Sequence, residues 1–137
     1  AEDDPTGIVA VLDWEMATVG DPLMDLGAAL AYWVEAGDDW IARKMRRQPT
    51  HVPGMLRRDE VVERYLDAMG LRAAAVDWPF YETYGLFRIA VIAQQIYYRY
   101  HHRQTTNPAF RAFWIWVRYF HWRCRGGMAR RTSRNAA

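Results

Sequence analysis

The 137 residues suffice for one domain with a sizeable core, and 51% hydrophobic with 15% aromatic residues is a globular composition, not a disordered one. Eighteen basic against 16 acidic residues leave a formal charge of +2, a balance that demands no polyanionic partner such as nucleic acid. A single cysteine excludes an internal disulfide, no signal peptide opens the chain, and Asp25, Arg88 and Arg118 interrupt the best apolar runs short of the roughly 18 residues needed to span a bilayer, so the expected setting is a reducing cytoplasm.

In chain order, Asp4-Pro5-Thr6-Gly7 is turn chemistry. Residues 8–12 (Ile-Val-Ala-Val-Leu) are apolar and rich in β-branched side chains, the pattern of a buried strand that runs into Asp13. A loop over 13–20 leads to a helix with Asp21 as N-cap and Pro22 at its first position, expected to run to about Ala36 with Gly37 as its stop. Residues 37–57 are the least regular stretch, with a short helix over 40–45 and a Pro/Gly-punctuated loop over 48–54. A helix from about Asp59 to Met69, capped by Asp59 and stopped by Gly70, carries Val61, Val62, Tyr65, Leu66 and Met69 on one stripe. After a linker over 71–76, Asp77-Trp78-Pro79 opens the longest helix, about 78–102; it is apolar nearly all round and therefore central. Asn107-Pro108 starts the last helix, which places Phe110, Phe113, Trp114, Val117, Phe120 and Cys124 on one face and Arg111, Arg118 and Arg125, seven apart, on another. Residues 126–137 begin with Gly-Gly, carry Arg130, Arg131 and Arg134, and are expected to be a basic, disordered tail.

Three fixed pieces carry a resemblance: Val11-Leu12-Asp13-Trp14-Glu15, then Gly20-Asp21-Pro22, then Asp25-Leu26 at a helix start. This spacing resembles the metal-binding segment of the aminoglycoside phosphotransferase and choline kinase-like family, which shares the protein kinase fold. The nearest variety is the bacterial phosphotransferase set, similar to the kinase-like domain attached to some acyl-CoA dehydrogenases. The resemblance implies a mainly α fold, the helical C-terminal lobe of a kinase-like domain over residues 1–125, with a short N-terminal β-strand or hairpin remnant. It also implies a nucleotide-binding lobe and a catalytic loop H-G-D-x-x-x-x-N ahead of the strand. Gly-Asp occurs here at Gly20-Asp21 and Gly37-Asp38, neither preceded by His, so the chain is read as a C-terminal fragment whose partner is the missing lobe.

By the same resemblance Asp13 is the carboxylate that holds Mg²⁺ on the phosphates of ATP, a hard-oxygen ligand for a hard cation. Its plain alternative is a turn cap. Glu15, two residues on, is a second candidate for the metal, a metal-bound water or a cationic substrate, or else a solvated loop residue. Asp25 resembles the helix aspartate that accepts hydrogen bonds from the catalytic-loop backbone, an anchoring role, with a simple helix-start carboxylate as the alternative. Arg88, inside the most apolar helix, needs a carboxylate partner, with Asp25, Glu15 and Glu82 as candidates. The four histidines show no zinc spacing, and Ser133, in the tail, is no candidate nucleophile.

The expected function is therefore Mg²⁺-dependent transfer of the γ-phosphate of ATP to the hydroxyl of a small molecule by the full-length parent, with the fragment alone inert. The alternative is a helical binding module without catalysis. A third reading, in which the arginine stripe and basic tail bind nucleic acid or anionic lipid, rests on basic residues beside aromatics.

Overall fold

The computed structural model describes residues 7–12 and 19–135, and among them every regular element is helical. The order is α1 (Pro22–Leu30), α2 (Trp40–Met45), α3 (Arg58–Ala68), a 3₁₀ turn (Ala73–Ala75), α4 (Trp78–His101), a second 3₁₀ turn (Pro108–Ala112) and α5 (Phe113–Asn135). The helical lobe expected from sequence is thus present. The strand is not: residues 8–12 form no regular structure, and Ile8, Val9 and Leu12 stand exposed to solvent. A strand's backbone groups need a neighbouring strand, and no described residue forms one.

Helix boundaries follow local chemistry where a cap is available. Asp21 accepts from the Leu23 amide at 2.9 Å, and Pro22 follows at the first helical position. Asp39 does the same for α2, accepting from Ile41 and Ala42 at 2.9 and 3.0 Å. At the end of α3, Gly70 takes φ +66°, while its amide reaches Asp67 O and that of Leu71 reaches Leu66 O. That pair of bonds satisfies two terminal carbonyls, and glycine adopts the left-handed backbone at no steric cost. The end of α4 repeats the arrangement with Arg103 at φ 57° and the amide of Gln104 on Arg99 O.

Four boundaries depart from the sequence reading. Helix α5 begins at Phe113, behind the 3₁₀ turn that Asn107-Pro108 opens, and Trp114, read on its core face, is exposed; Arg57, not Asp59, holds the N-cap position of α3. Helix α1 stops at Leu30, not Ala36, because the next backbone groups are claimed elsewhere. The buried Thr50 hydroxyl accepts from Val34 N and donates to Val34 O, and Arg58 donates to Trp33 O. Helix α3 starts one residue before Asp59, with the Arg58 amide donating to the Glu35 carboxylate at 2.5 Å. Helix α5 continues through Asn135, across the segment read as a disordered tail. Gly127 packs against Thr83, Arg131 pairs with Asp77, and the Arg131 guanidinium lies over the Phe80 ring.

Helix α4 is the spine, with α1 on one side and α5 on another. Two apolar clusters flank it. One joins Val34, Ala42, Leu86, Ile89, Tyr119, Phe120 and Cys124; the other joins Leu23 and Leu30 of α1 to Val62 and Leu66 of α3. Each such buried leucine or valine contributes about 1.5–3 kcal/mol relative to exposure. No helix among the described residues is long and apolar enough to cross a membrane.

Candidate functional site

Helices α1 and α4 cross at two glycines. A Cβ on Gly27 would lie 2.4 Å from Tyr81 O, and one on Gly85 would lie 2.1 Å from Gly27 O. Only glycine at both positions lets the two backbones approach so closely. This crossing positions the candidate site. Asp25 stands two residues before Gly27 and Arg88 three after Gly85, and their side chains meet across the crossing at 3.9 Å. The Tyr81 hydroxyl donates to the Asp21 carboxylate at 2.6 Å, tying the α1 cap to α4, and this bond raises the phenol above its ordinary value. Asp21 is a capping residue, as its sequence position indicates.

Of the three partners open to Arg88, the structure pairs it with Asp25. Glu82 faces the other way, into a groove described below. Both members of the pair are more exposed than the sequence suggests: the Asp25 side chain is 79% accessible and that of Arg88 40%. The apolar neighbours of Asp25 on α1 leave its carboxylate in water, because no described element covers that side of the helix start. A long, solvated pair of this kind contributes little stability. Beside it, a cleft of about 220 Å³ is bounded by Ala28, Ala29, Tyr32, Gly85, Arg88 and Ile92. Asp13 and Glu15 lie outside the described residues. Among the described residues, no group of three or more His, Cys, Asp or Glu is placed to hold a metal.

On the opposite side of the crossing lies a larger groove of about 1060 Å³ between α1, α3 and α4, walled by Leu30, Val62, Leu66 and Leu86 with Glu35, Glu63 and Glu82 among its polar groups. It does not contain Asp25 or Arg88. Arg58 at its edge is held by Asp38 at 2.7 and 2.9 Å and by Glu35 at 3.5 Å. Burial alone would raise the Asp38 carboxyl, but hydrogen bonds from Arg58 and the Glu35 amide outweigh it and hold Asp38 below its ordinary 3.8. Near by, the Tyr119 hydroxyl donates to Asp39 at 2.6 Å; burial, then this bond, push the phenol up to about 12. These ties anchor the irregular 31–57 stretch to α3 and α5. Sequence reading missed them. Asp39 ahead of Trp40 was a visible cap signal, whereas nothing local points from Asp38 to Arg58, twenty residues on.

Comparison with known proteins gives the same direction as the motif. Residues 2–82 match the model of the phosphotransferase enzyme family. Over 93 residues the chain is 36% identical to acyl-CoA dehydrogenase family member 10 of Mus musculus, covering 67% of this chain and 8% of that protein. Over 94 residues it is 32% identical to acyl-CoA dehydrogenase family member 11 of Homo sapiens, covering 68% of this chain and 12% of that protein. A probable acyl-CoA dehydrogenase of Arabidopsis thaliana is 28% identical over 96 residues, 67% of this chain and 11% of that protein. The chain thus spans only 8 to 12% of the length of these relatives. No solved structure matches.

Proposed function

Because this chain belongs to the phosphotransferase enzyme family, we propose that it is the helical part of an ATP-dependent kinase that phosphorylates a hydroxyl of a small molecule in the cytoplasm. The observation that carries the reading is the fixed spacing of Asp13, Glu15, Asp21 and Asp25 inside the segment that matches the family. Asp13, with Glu15 near it, is the carboxylate that would hold Mg²⁺, and hard carboxylate oxygens suit that ion. Bound there, the metal would neutralise charge on the phosphates during transfer.

Asp25 is an anchoring residue in this reading. Its exposed carboxylate at a helix start, which among the described residues meets a long contact to Arg88, can accept backbone amides from a catalytic loop. Arg88 then orients that carboxylate. The nucleotide-binding lobe, the H-G-D-x-x-x-x-N loop and the acceptor hydroxyl belong to the rest of the protein and its substrate.

The test uses the longer protein that carries this segment. Asp13→Ala should abolish ATP-dependent phosphorylation and weaken Mg-ATP binding while leaving the fold intact; unchanged turnover would remove Asp13 from the reading. A second reading, a helical binding module without catalysis, is favoured by the absence of H-G-D-x-x-x-x-N and of a glycine-rich phosphate loop from these 137 residues. Calorimetry on the isolated chain separates further cases: negligible Mg-ATP affinity fits both readings of the segment, and micromolar affinity contradicts both.

A further inference from the structure

The formal charge of +2 hides a segregation. All 16 acidic residues lie at or before Glu82, together with eight basic ones, whereas residues 83–137 carry ten arginines, no lysine and no acidic residue. Helix α5 concentrates this. Tyr119, Phe120, Cys124 and Gly127 face α4 and the core. At 100° per residue, Arg118 and Arg125 fall on the opposite side of α5, and Arg111 stands in the 3₁₀ turn just ahead of it; all three are exposed. Along the flanks of that stripe stand Trp122, Trp114 and Ile115, exposed by 66, 47 and 44%. None of the three arginines forms an ion pair with a described residue.

We propose that this outer face of α5 docks the protein on the surface of an anionic phospholipid bilayer. Charge complementarity carries the argument. A phosphate-dense surface is matched by a face whose only charges are guanidinium groups, which bind phosphate oxygens bidentately. The indoles fit the same partner, since tryptophan favours the boundary between headgroups and acyl chains. Geometry separates a bilayer from a nucleic acid strand. Strands are held in grooves with aromatic stacking platforms, and the two cavities described above include none of these side chains. The face is instead the outer side of a 23-residue helix about 34 Å long, which can lie along a headgroup plane.

Cosedimentation of the 137-residue chain with vesicles tests this, comparing pure phosphatidylcholine with about 30% phosphatidylserine at about 0.1 M salt. Binding is expected only to the anionic vesicles, with tryptophan emission quenched by brominated lipid. Arg118→Ala with Arg125→Ala should weaken partitioning about thirty-fold, the pull of an anionic leaflet on two arginines. Trp114→Ala with Trp122→Ala should remove the quenching, and Arg43→Ala with Lys44→Ala, on exposed α2, should change nothing. The two α5 variants are separate, so loss of helicity in one leaves the other decisive. Equal binding to both vesicle types, or full binding by the Arg118/Arg125 variant, overturns the proposal. So does the absence of vesicle binding from a chain whose same arginines hold single-stranded RNA or a dimer together.

Discussion

Alanine at Gly85 and alanine at Gly126 should move stability in opposite directions, although both glycines sit inside long helices. In an isolated helix either change gains about 1 kcal/mol from propensity. At Gly126 nothing opposes the gain: the new methyl would meet only Arg130 Nη1 at 3.7 Å, an ordinary contact with a movable side chain. At Gly85 the methyl would lie 2.1 Å from Gly27 O and 2.5 Å from Gly27 C. Those are backbone atoms of α1, so no rotamer change relieves the clash and the helices must part. Overpacking of a rigid site costs up to about 3 kcal/mol, leaving a net loss of about 2 kcal/mol after the propensity gain. For a chain of this size that is a fall in Tm of about 6 °C, against a rise of about 3 °C for Gly126→Ala. Thermal and urea unfolding followed by far-UV circular dichroism reads both. If Gly85→Ala matched or exceeded wild type, the close α1–α4 crossing would be wrong, and with it the placement of Asp25 beside Arg88.

Two further outcomes follow from named contacts. Arg103→Gly should raise stability by about 1 kcal/mol in urea titration, since the residue after the α4 cap holds φ 57°, where a side chain is strained and glycine is not. Asp38 provides a pH signature. Its folded-state value lies below the ordinary 3.8, so the stability it contributes is complete above that value and is lost as pH falls through the folded one. The advantage of wild type over Asp38→Asn, measured by urea unfolding, should therefore be constant from neutral pH down to about 4 and shrink below it. An advantage that stayed constant in the most acidic buffers would show that Arg58 does not hold the carboxylate.

Helix caps were legible in the sequence because their chemistry is complete within a few residues: Asp21-Pro22, Asn107-Pro108 and Gly70 each act where their spacing puts them. The central place of the helix over 78–101 was legible too, since α1 and α5 both pack on it, but its all-round apolar pattern hid a solvated face where Phe87, Val91, Ile92 and Tyr98 are exposed. The pattern Asp13-Trp14-Glu15, Gly20-Asp21-Pro22, Asp25 resembles the phosphotransferase family, and the match of residues 2–82 to that family agrees with it.

Distant partners decided the rest. Thr50 and Arg58 take the backbone groups of residues 33 and 34 that would have prolonged α1, and Glu35 receives the first amide of α3. Thr83, Phe80 and Asp77 give the Gly-Gly and arginine run of α5 something to pack on, so a stretch that composition reads as a tail is a helix. Residues 8–12 show the converse, a strand-like sequence that forms none among the described residues. The sequence alone determined where several helices begin and which family the chain belongs to, since capping chemistry and a fixed motif are both local. Tertiary structure alone decided which backbone groups were left to continue a helix, and that Asp25 would face Arg88, because Gly27 and Gly85, 58 residues apart, had to meet before those charges could.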